Sequence, residues 1–366
     1  MDISPYLKLM VERGASDLFF TVDAPVHIKI EGVTSPVGKN SLPSGTVATI
    51  LPGILSENQL ASFLENNELD TAFSLPDVGR FRINVYMQRG EAAMVIRQIK
   101  WQTQTVKELG LPEILNELVM ESRGLIIIAG STGSGKSSTV AAMLDYRNAN
   151  KTGHILTIED PIEFMHKHKK SIVSQREVGL DTSSFSEALR RAMREAPDVI
   201  MIGEIRDEET MKQALAYADT GHLCIATLHA TNASQTMERM MSFFPDSSRA
   251  QLLMELSLNL RAVVAQRLLR LSNGGRIPAT EILLNEPVVK AVIRDGKTHK
   301  LKDILEKAGE GSKLHSFDNE IIRLFRNKQV SFEEAIQHAD EPDHMKLKIK
   351  LGGHGISSDA GDIYSV

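Results

Sequence analysis

The sequence predicts an α/β protein in which a small α+β domain precedes a parallel sheet covered by helices. Three observations predict it. From about residue 112 the chain alternates short apolar runs with amphipathic segments, the pattern of strands feeding crossover helices. Before that point the clearest strand, residues 80–87, alternates strictly between apolar and polar positions, as a strand does when one face of its sheet is wet. The first strong apolar run of the alternating region, residues 125–129, reads as a strand buried on both faces and leads directly into a glycine-rich loop and then a helix-forming stretch.

In chain order, Ser4 caps a first helix with Pro5 at its first position, and Gly14 ends it. Strands are expected at 17–22 and 26–31 around the turn Asp23-Ala24-Pro25. A helix follows at 57–67, with Leu60, Ala61 and Leu64 on one side. In strand 80–87, Phe81, Ile83, Val85 and Met87 share one face, and Arg80, Arg82 and Asn84 the other. A turn at Gln88-Arg89-Gly90-Glu91 leads to a partner strand that carries Arg97 and ends at Ile99. The expected domains are residues 1–100, a polar linker at 101–111 with the single Trp101, a second domain at 112–351, and a disordered tail at 352–366 rich in Gly, Ser and Asp. Within the second domain, strands are expected at 125–129, 154–158, 199–202 and 223–228. Ser184 with Glu187, and Asp207, cap the helices between them. The segment 248–271 reads as one long amphipathic helix, with shorter helices from residue 287.

Composition narrows the function. With 366 residues the chain has room for two cores, and 42% apolar with 24% charged residues is ordinary for a globular protein. A net charge of −5, with no basic face interleaved with aromatics, argues against nucleic acid as a partner. One cysteine, Cys224, rules out an intrachain disulfide and fits a reducing compartment. No basic stretch followed by an apolar core marks a secretory signal at the N-terminus, and no run is long enough to span a bilayer.

The chemistry is carried by Gly130-Ser131-Thr132-Gly133-Ser134-Gly135-Lys136-Ser137-Ser138, which fits G-x-x-x-x-G-K-[ST] between a buried strand and a helix. Glycines let backbone N–H groups turn inward around a phosphate chain, and the helix N-terminus adds its positive dipole end. Lys136 is placed to reach the β- and γ-phosphates of ATP, and the Ser137 hydroxyl to ligate Mg²⁺. In a parallel sheet ligands lie beyond the carboxyl ends of the strands, where three further polar clusters fall. Glu204 ends a buried strand and is a candidate to order the Mg²⁺ shell or to polarise the attacking water. Glu159, Asp160 and Glu163 are crowded acids that need a metal or an arginine as compensation; spacing does not say which of them orients water. His229 is a candidate to sense the γ-phosphate or its water, whereas a satisfied buried histidine is as good a reading for His222. Zinc at His222, Cys224 and His229 is disfavoured, since 229 falls on another face and no fourth ligand is evident. Arg82 and Arg97 read first as solvated strand arginines; the alternative is charge supplied to the γ-phosphate. The basic stretch 166–170 reads as a solvated loop.

These motifs resemble the PilT/PilU family of type IV pilus retraction ATPases, over residues 4–351. Loop 130–137 resembles the family's Walker A, Ile158-Glu159-Asp160-Pro161-Ile162-Glu163 its Asp box, Gly203-Glu204-Ile205-Arg206-Asp207 its Walker B, and residues 220–229 its His box. Arg82 and Arg97 resemble its N-terminal arginines. The resemblance implies a PAS-like N-terminal domain and a RecA-like ATPase domain in a cytoplasmic homo-hexamer at the inner-membrane base of the pilus machine. It also implies ATP and Mg²⁺ as cofactors, with Ser137, Glu204, Glu159 and Asp160 around the metal and Glu204, Glu163, Lys136, Arg82, Arg97 and His229 in catalysis. The implied partners are a PilT-like paralogue and the inner-membrane platform protein. Val289-Lys290-Ala291-Val292-Ile293-Arg294 departs from the Ala-Ile-Arg-Asn-Leu-Ile-like motif of retraction ATPases. With the continuation at 349–354, that departure looks more like PilU, an accessory to a PilT-like motor. A ring scaffold that binds ATP, and a RecA-like nucleic-acid translocase, are the rival readings. A pilus-extension or type II secretion motor would carry a tetracysteine insertion that one cysteine cannot supply.

Overall fold

The computed structural model describes residues 1–101, 103–308 and 312–350; the expected tail at 352–366 lies outside them. The chain divides into two compact units. The first comprises Met1–Thr103 with the short segments Ile162–Lys167 and Gly179–Asp181, and the second holds the remainder.

In the first unit six strands form an antiparallel sheet: β1 (Asp17–Phe20), β2 (His27–Ile30), β3 (Val33–Pro36), β4 (Glu68–Leu75), β5 (Gly79–Gln88) and β6 (Glu91–Ile99). Their spatial order is β3-β2-β1-β6-β5-β4. The alternation of β5 buries Phe81, Ile83 and Val85 completely, together with Leu7 and Met10 of the helix Ser4–Glu12. That helix is capped at Ile3, not Ser4; Ile3 offers no side-chain acceptor, and the Asp2 carboxylate accepts from the Ser4 amide at 2.9 Å instead. In the helix Glu57–Asn66, Ser56 and Gln59 form a reciprocal capping box. Phe63 is the residue it buries, and Leu64 points outward at 71% exposure, contrary to the predicted apolar side. β3 and β4 have no strand expectation in the sequence reading, because neither alternates cleanly.

The second unit holds a seven-stranded sheet: β7 (Gly124–Ala129), β8 (Gly153–Glu159), β9 (Ser171–Glu177), β10 (Val199–Ile202), β11 (Leu223–Leu228), β12 (Leu260–Arg270) and β13 (Arg276–Leu284). Its order is β13-β12-β7-β11-β10-β8-β9, parallel except for β13. All six residues of β7 and all six of β11 are buried, so the sheet is covered on both faces. The predicted helix 248–271 is a correction: a helix runs from Asp246 to Asn259, and the chain then extends into β12. Leu-Arg-Ala-Val-Val-Ala-Gln carries β-branched residues that pack on both sides of a sheet, and backbone pairing with β7 and β13 outweighs local helix propensity. In the loop 166–170, Lys167, His168, Lys169 and Lys170 are exposed as expected, and His166 is buried. Lys169 pairs with Asp145 at 2.7 Å.

One buried acid in this unit makes a pH-dependent contribution to stability. Glu281 on β13 is 4% exposed and accepts from the amide of Ala233 at 2.7 Å and, more weakly, from that of Phe317 at 3.5 Å. These amides open two helices. Burial pushes the Glu281 carboxyl from 4.5 up to about 7, with Asp340 adding to the rise against the two amides and Arg267. A folded-state pKa above the unfolded one gives stability that is full below 4.5 and is lost as pH rises through about 7. The urea midpoint of the parent is therefore expected to fall between pH 5 and pH 8 by more than that of Glu281→Gln, which cannot ionise. Equal falls in both proteins would refute the assignment.

Candidate active site

Because β7, β8, β10 and β11 are parallel and in register, their carboxyl ends share one edge: Ala129 pairs with Leu228, and Ile202 with both Ala226 and Ile158. Loop 130–137 leaves β7 at this edge and enters the helix Lys136–Asn150. Gly133 and Gly135 adopt positive φ, 78° and 91°, which an L side chain rarely does. Gly130 is required by proximity instead, since a Cβ there would lie 2.2 Å from the Ser134 hydroxyl and 2.8 Å from the Gln266 carbonyl oxygen. Lys136 folds back, and its ammonium donates to the carbonyls of Gly130 at 2.8 Å and Ser131 at 2.9 Å. Among the described residues the buried Ser134 hydroxyl has no hydrogen-bond partner. Ser137 and Ser138 stand in the first helical turn, where amide groups lack intrahelical acceptors.

A cavity of about 550 Å³ opens beside the loop, bounded by Ser131–Ser134, Thr231, Gln266, Arg267, Arg270, Arg276, Glu334 and His338 among others. Its β12 wall comes from a segment for which the sequence predicts a helix. Gln266 donates from Nε2 to the Ser134 carbonyl at 2.8 Å and accepts from the Thr139 hydroxyl at 2.7 Å. Arg267 donates to the His338 carbonyl at 2.8 Å and to Asp340 at 2.6 Å, and its guanidinium lies 4.0 Å from the Phe317 ring centre. A glutamine within an otherwise apolar run was the available signal for this wall.

At the neighbouring strand tips the structure gathers Glu204, Asp160, Arg206 and His229. Arg206 donates to Glu204 at 2.8 Å and to Asp160 at 3.4 Å, and the His229 Nε2 lies 3.4 Å from the other Glu204 oxygen. The bond from Glu204, with Asp160 behind it, holds the Arg206 guanidinium above its ordinary pKa. Of the crowded acids Glu159, Asp160 and Glu163, Asp160 is the one that Arg206 reaches. Glu159 ends β8 and accepts from Thr157 at 2.6 Å and Gln175 at 3.3 Å. A Cβ on Gly203 would sit 3.1 Å from the Glu159 Cα, so glycine there lets the two strand tips approach. The Asp160-Pro161 peptide is cis.

Other predicted residues lie elsewhere. Glu163 falls in the segment Ile162–Lys167 that groups with the first unit. There, Arg82 and Arg97 are direct cross-strand partners on β5 and β6, and Arg97 also pairs with Asp17 at 2.8 Å. His222 precedes β11 at the opposite sheet edge, its ring edge-on to Tyr217. Cys224 is fully buried, and burial pushes its thiol up to about 12. Among the described residues no cluster of His, Cys, Asp or Glu is arranged to hold a metal ion by itself. A hydroxyl, a nearby carboxylate and phosphate oxygens are nonetheless the ligand set a nucleotide-bound Mg²⁺ takes, so the residues fit that ion. Among the described residues no helix is long and apolar enough to cross a membrane.

The family model described as "Type II/IV secretion system protein" matches residues 76–303. The type IV pilus ATPase PilU of Pseudomonas aeruginosa is 47% identical over 100% of this chain and 95% of its own. The type IV pilus retraction ATPase PilT of the same organism is 40% identical over 94% of this chain and 100% of its own. A crystal structure of the pilus retraction motor PilT with bound ADP superposes with a TM-score of 0.88 at 38% identity, covering 95% of this chain and 99% of that one. Its two-sheet α/β architecture, its phosphate loop and these similarities together show that the chain belongs to the Type II/IV secretion system protein family, as one of its type IV pilus retraction ATPases.

Proposed function

We propose that the chain binds ATP with Mg²⁺ on loop 130–137 and hydrolyses it with the strand-tip cluster, acting as a PilU-like accessory to a PilT-like motor. The observation that carries the reading is the sheet edge itself: the glycine cradle leaves β7, and His229, Glu204 with Arg206, and Asp160 follow β11, β10 and β8, the next three strands along the same edge. Lys136 and the loop amides bind and neutralise the β- and γ-phosphates. Bound Mg²⁺ supplies further positive charge there, with Ser137 as ligand and Glu204, Glu159 or Asp160 holding its waters. Glu204 orients the attacking water and accepts its proton, Glu163 being the other acid available for that step, and His229 fixes the Glu204 carboxylate that faces it. Arg82 and Arg97 add positive charge as the γ-phosphoryl oxygens become more negative. Those arginines belong to the unit without the phosphate loop. The chain acts as a homo-hexamer at the cytoplasmic base of the pilus machine, against an inner-membrane platform protein. The identity to PilU across the whole chain supports the accessory role.

ATP turnover of the purified chain, alone and mixed with a PilT-like partner, tests the assignment. Turnover alone, raised further by the partner, is expected. No turnover in either condition would leave the ring-scaffold reading in its place.

A further inference from the structure

We infer that Gln266 is a positioning residue for nucleotide binding: it clamps the phosphate loop and its helix to β12 and so fixes the loop amides before the nucleotide arrives. The inference rests on the nucleotide-binding reading of loop 130–137 and adds to it a residue from outside the motif.

The geometry is specific. Gln266 is 2% exposed, and its amide uses both ends. Nε2 donates to the Ser134 carbonyl, in the middle of the loop, while Oε1 accepts from Thr139, one turn into the helix. One side chain therefore ties the two halves of the phosphate cradle to a strand that β7 holds in register. The contact is also close. The two glycines of the motif's frame, Gly130 and Gly135, are the positions where a Cβ would meet Gln266, at 2.8 Å from its carbonyl oxygen and 2.7 Å from its Nε2. Gly130 thus leaves room for the β12 main chain behind the loop, its contact being with the backbone carbonyl of Gln266, and Gly135 leaves room for the Gln266 side-chain amide itself.

An anion cradle built of backbone N–H groups is only as good as its preorganisation, since a loop that must be ordered on binding loses that free energy from affinity. Gln266 does not face the phosphates, because its amide is spent on Ser134 and Thr139. Its effect should therefore fall on binding more than on the chemical step. Two buried hydrogen bonds at the usual net worth correspond to a loss of about 5- to 100-fold in affinity.

The test is titration calorimetry of ADP with the parent, Gln266→Met, Thr139→Val and the double variant, alongside kcat and KM for ATP. Gln266→Met keeps the volume and removes both bonds; Thr139→Val removes one. The expected result is a Kd for ADP and a KM for ATP raised about tenfold in Gln266→Met, with kcat within about threefold. Thr139→Val should lie between parent and Gln266→Met, and the double variant should add nothing to Gln266→Met. A Tm lowered with Kd unchanged, or additive effects of the two substitutions, would overturn the inference. A parent that binds no ADP would instead overturn the nucleotide reading on which it rests. If Gln266→Met does not fold, Thr139→Val carries the same test, with unchanged Kd as the refuting outcome.

Discussion

Replacing Glu204 by glutamine is expected to lower kcat for ATP hydrolysis by about 10²- to 10⁴-fold, the usual worth of a positioned general base, while ATP still binds. The substitution is nearly isosteric and keeps an oxygen for the 2.8 Å bond from Arg206, so the strand tip should hold its shape. What it removes is the proton acceptor and the charge that faces His229 at 3.4 Å. A carboxylate used only to hold Arg206 would behave differently. That interaction is partly exposed, and exposed pairs contribute about 1 kcal/mol or less, so turnover would change little. Single-turnover kinetics with the Glu204→Gln, Asp160→Asn, Glu159→Gln and Glu163→Gln variants decides among the acids. If Glu204→Gln retains turnover within about tenfold of the parent, a factor too small for lost general-base catalysis, the role passes to whichever acid shows the larger loss.

The sequence made the centre of the second unit legible because there one local pattern has one physical solution. Five consecutive apolar residues before a glycine loop can be satisfied only by a strand buried on both faces, and the loop conformation follows from the glycines. The same holds for β5, whose period-two burial is already written in Phe81, Ile83 and Val85. Elsewhere local pattern and tertiary context conflict. Residues 260–270 have helix-compatible spacing, and only pairing with β7 and β13 makes them a strand. Ser272-Asn273-Gly274-Gly275 between two apolar runs is the hairpin signal in the sequence, and the helix-compatible spacing of the run before it masks it. β9 is an edge strand whose polar residues serve its neighbours, Gln175 reaching Glu159 and Ser174 reaching His154, so its composition resembles a loop. These misreadings had a cost at the site. Gln266 and Arg267 belong to the segment predicted as a helix, whereas the position of Glu204, Asp160 and His229 at one sheet edge is legible because they follow strands with unmistakable cores. Arg206 carries no local signal for its role, since its partners Asp160 and Glu204 lie on separate strand tips that only the parallel sheet brings together.

Lys136→Ala is expected to have the largest effect of any single substitution, with ATP turnover falling by about 10³-fold or more as charge stabilisation of the transferred phosphoryl group is lost. ATP affinity should fall by about 10- to 100-fold, since the ammonium also contributes a charge-assisted bond to the bound ground state. The fold should tolerate the change: the Lys136 ammonium rests on the carbonyls of Gly130 and Ser131 at the loop, and water can take over both acceptors. Lys136→Arg should not restore activity, because a planar fork cannot reproduce a compact point charge between two carbonyls and a phosphate. The same variant separates engine from scaffold in cells. If this chain contributes force through its own hydrolysis, cells carrying Lys136→Ala should twitch like a deletion strain. If it contributes only a ring surface to a PilT-like motor, they should twitch like the parent, because a surface away from the nucleotide is untouched by the loss of one lysine beneath the γ-phosphate.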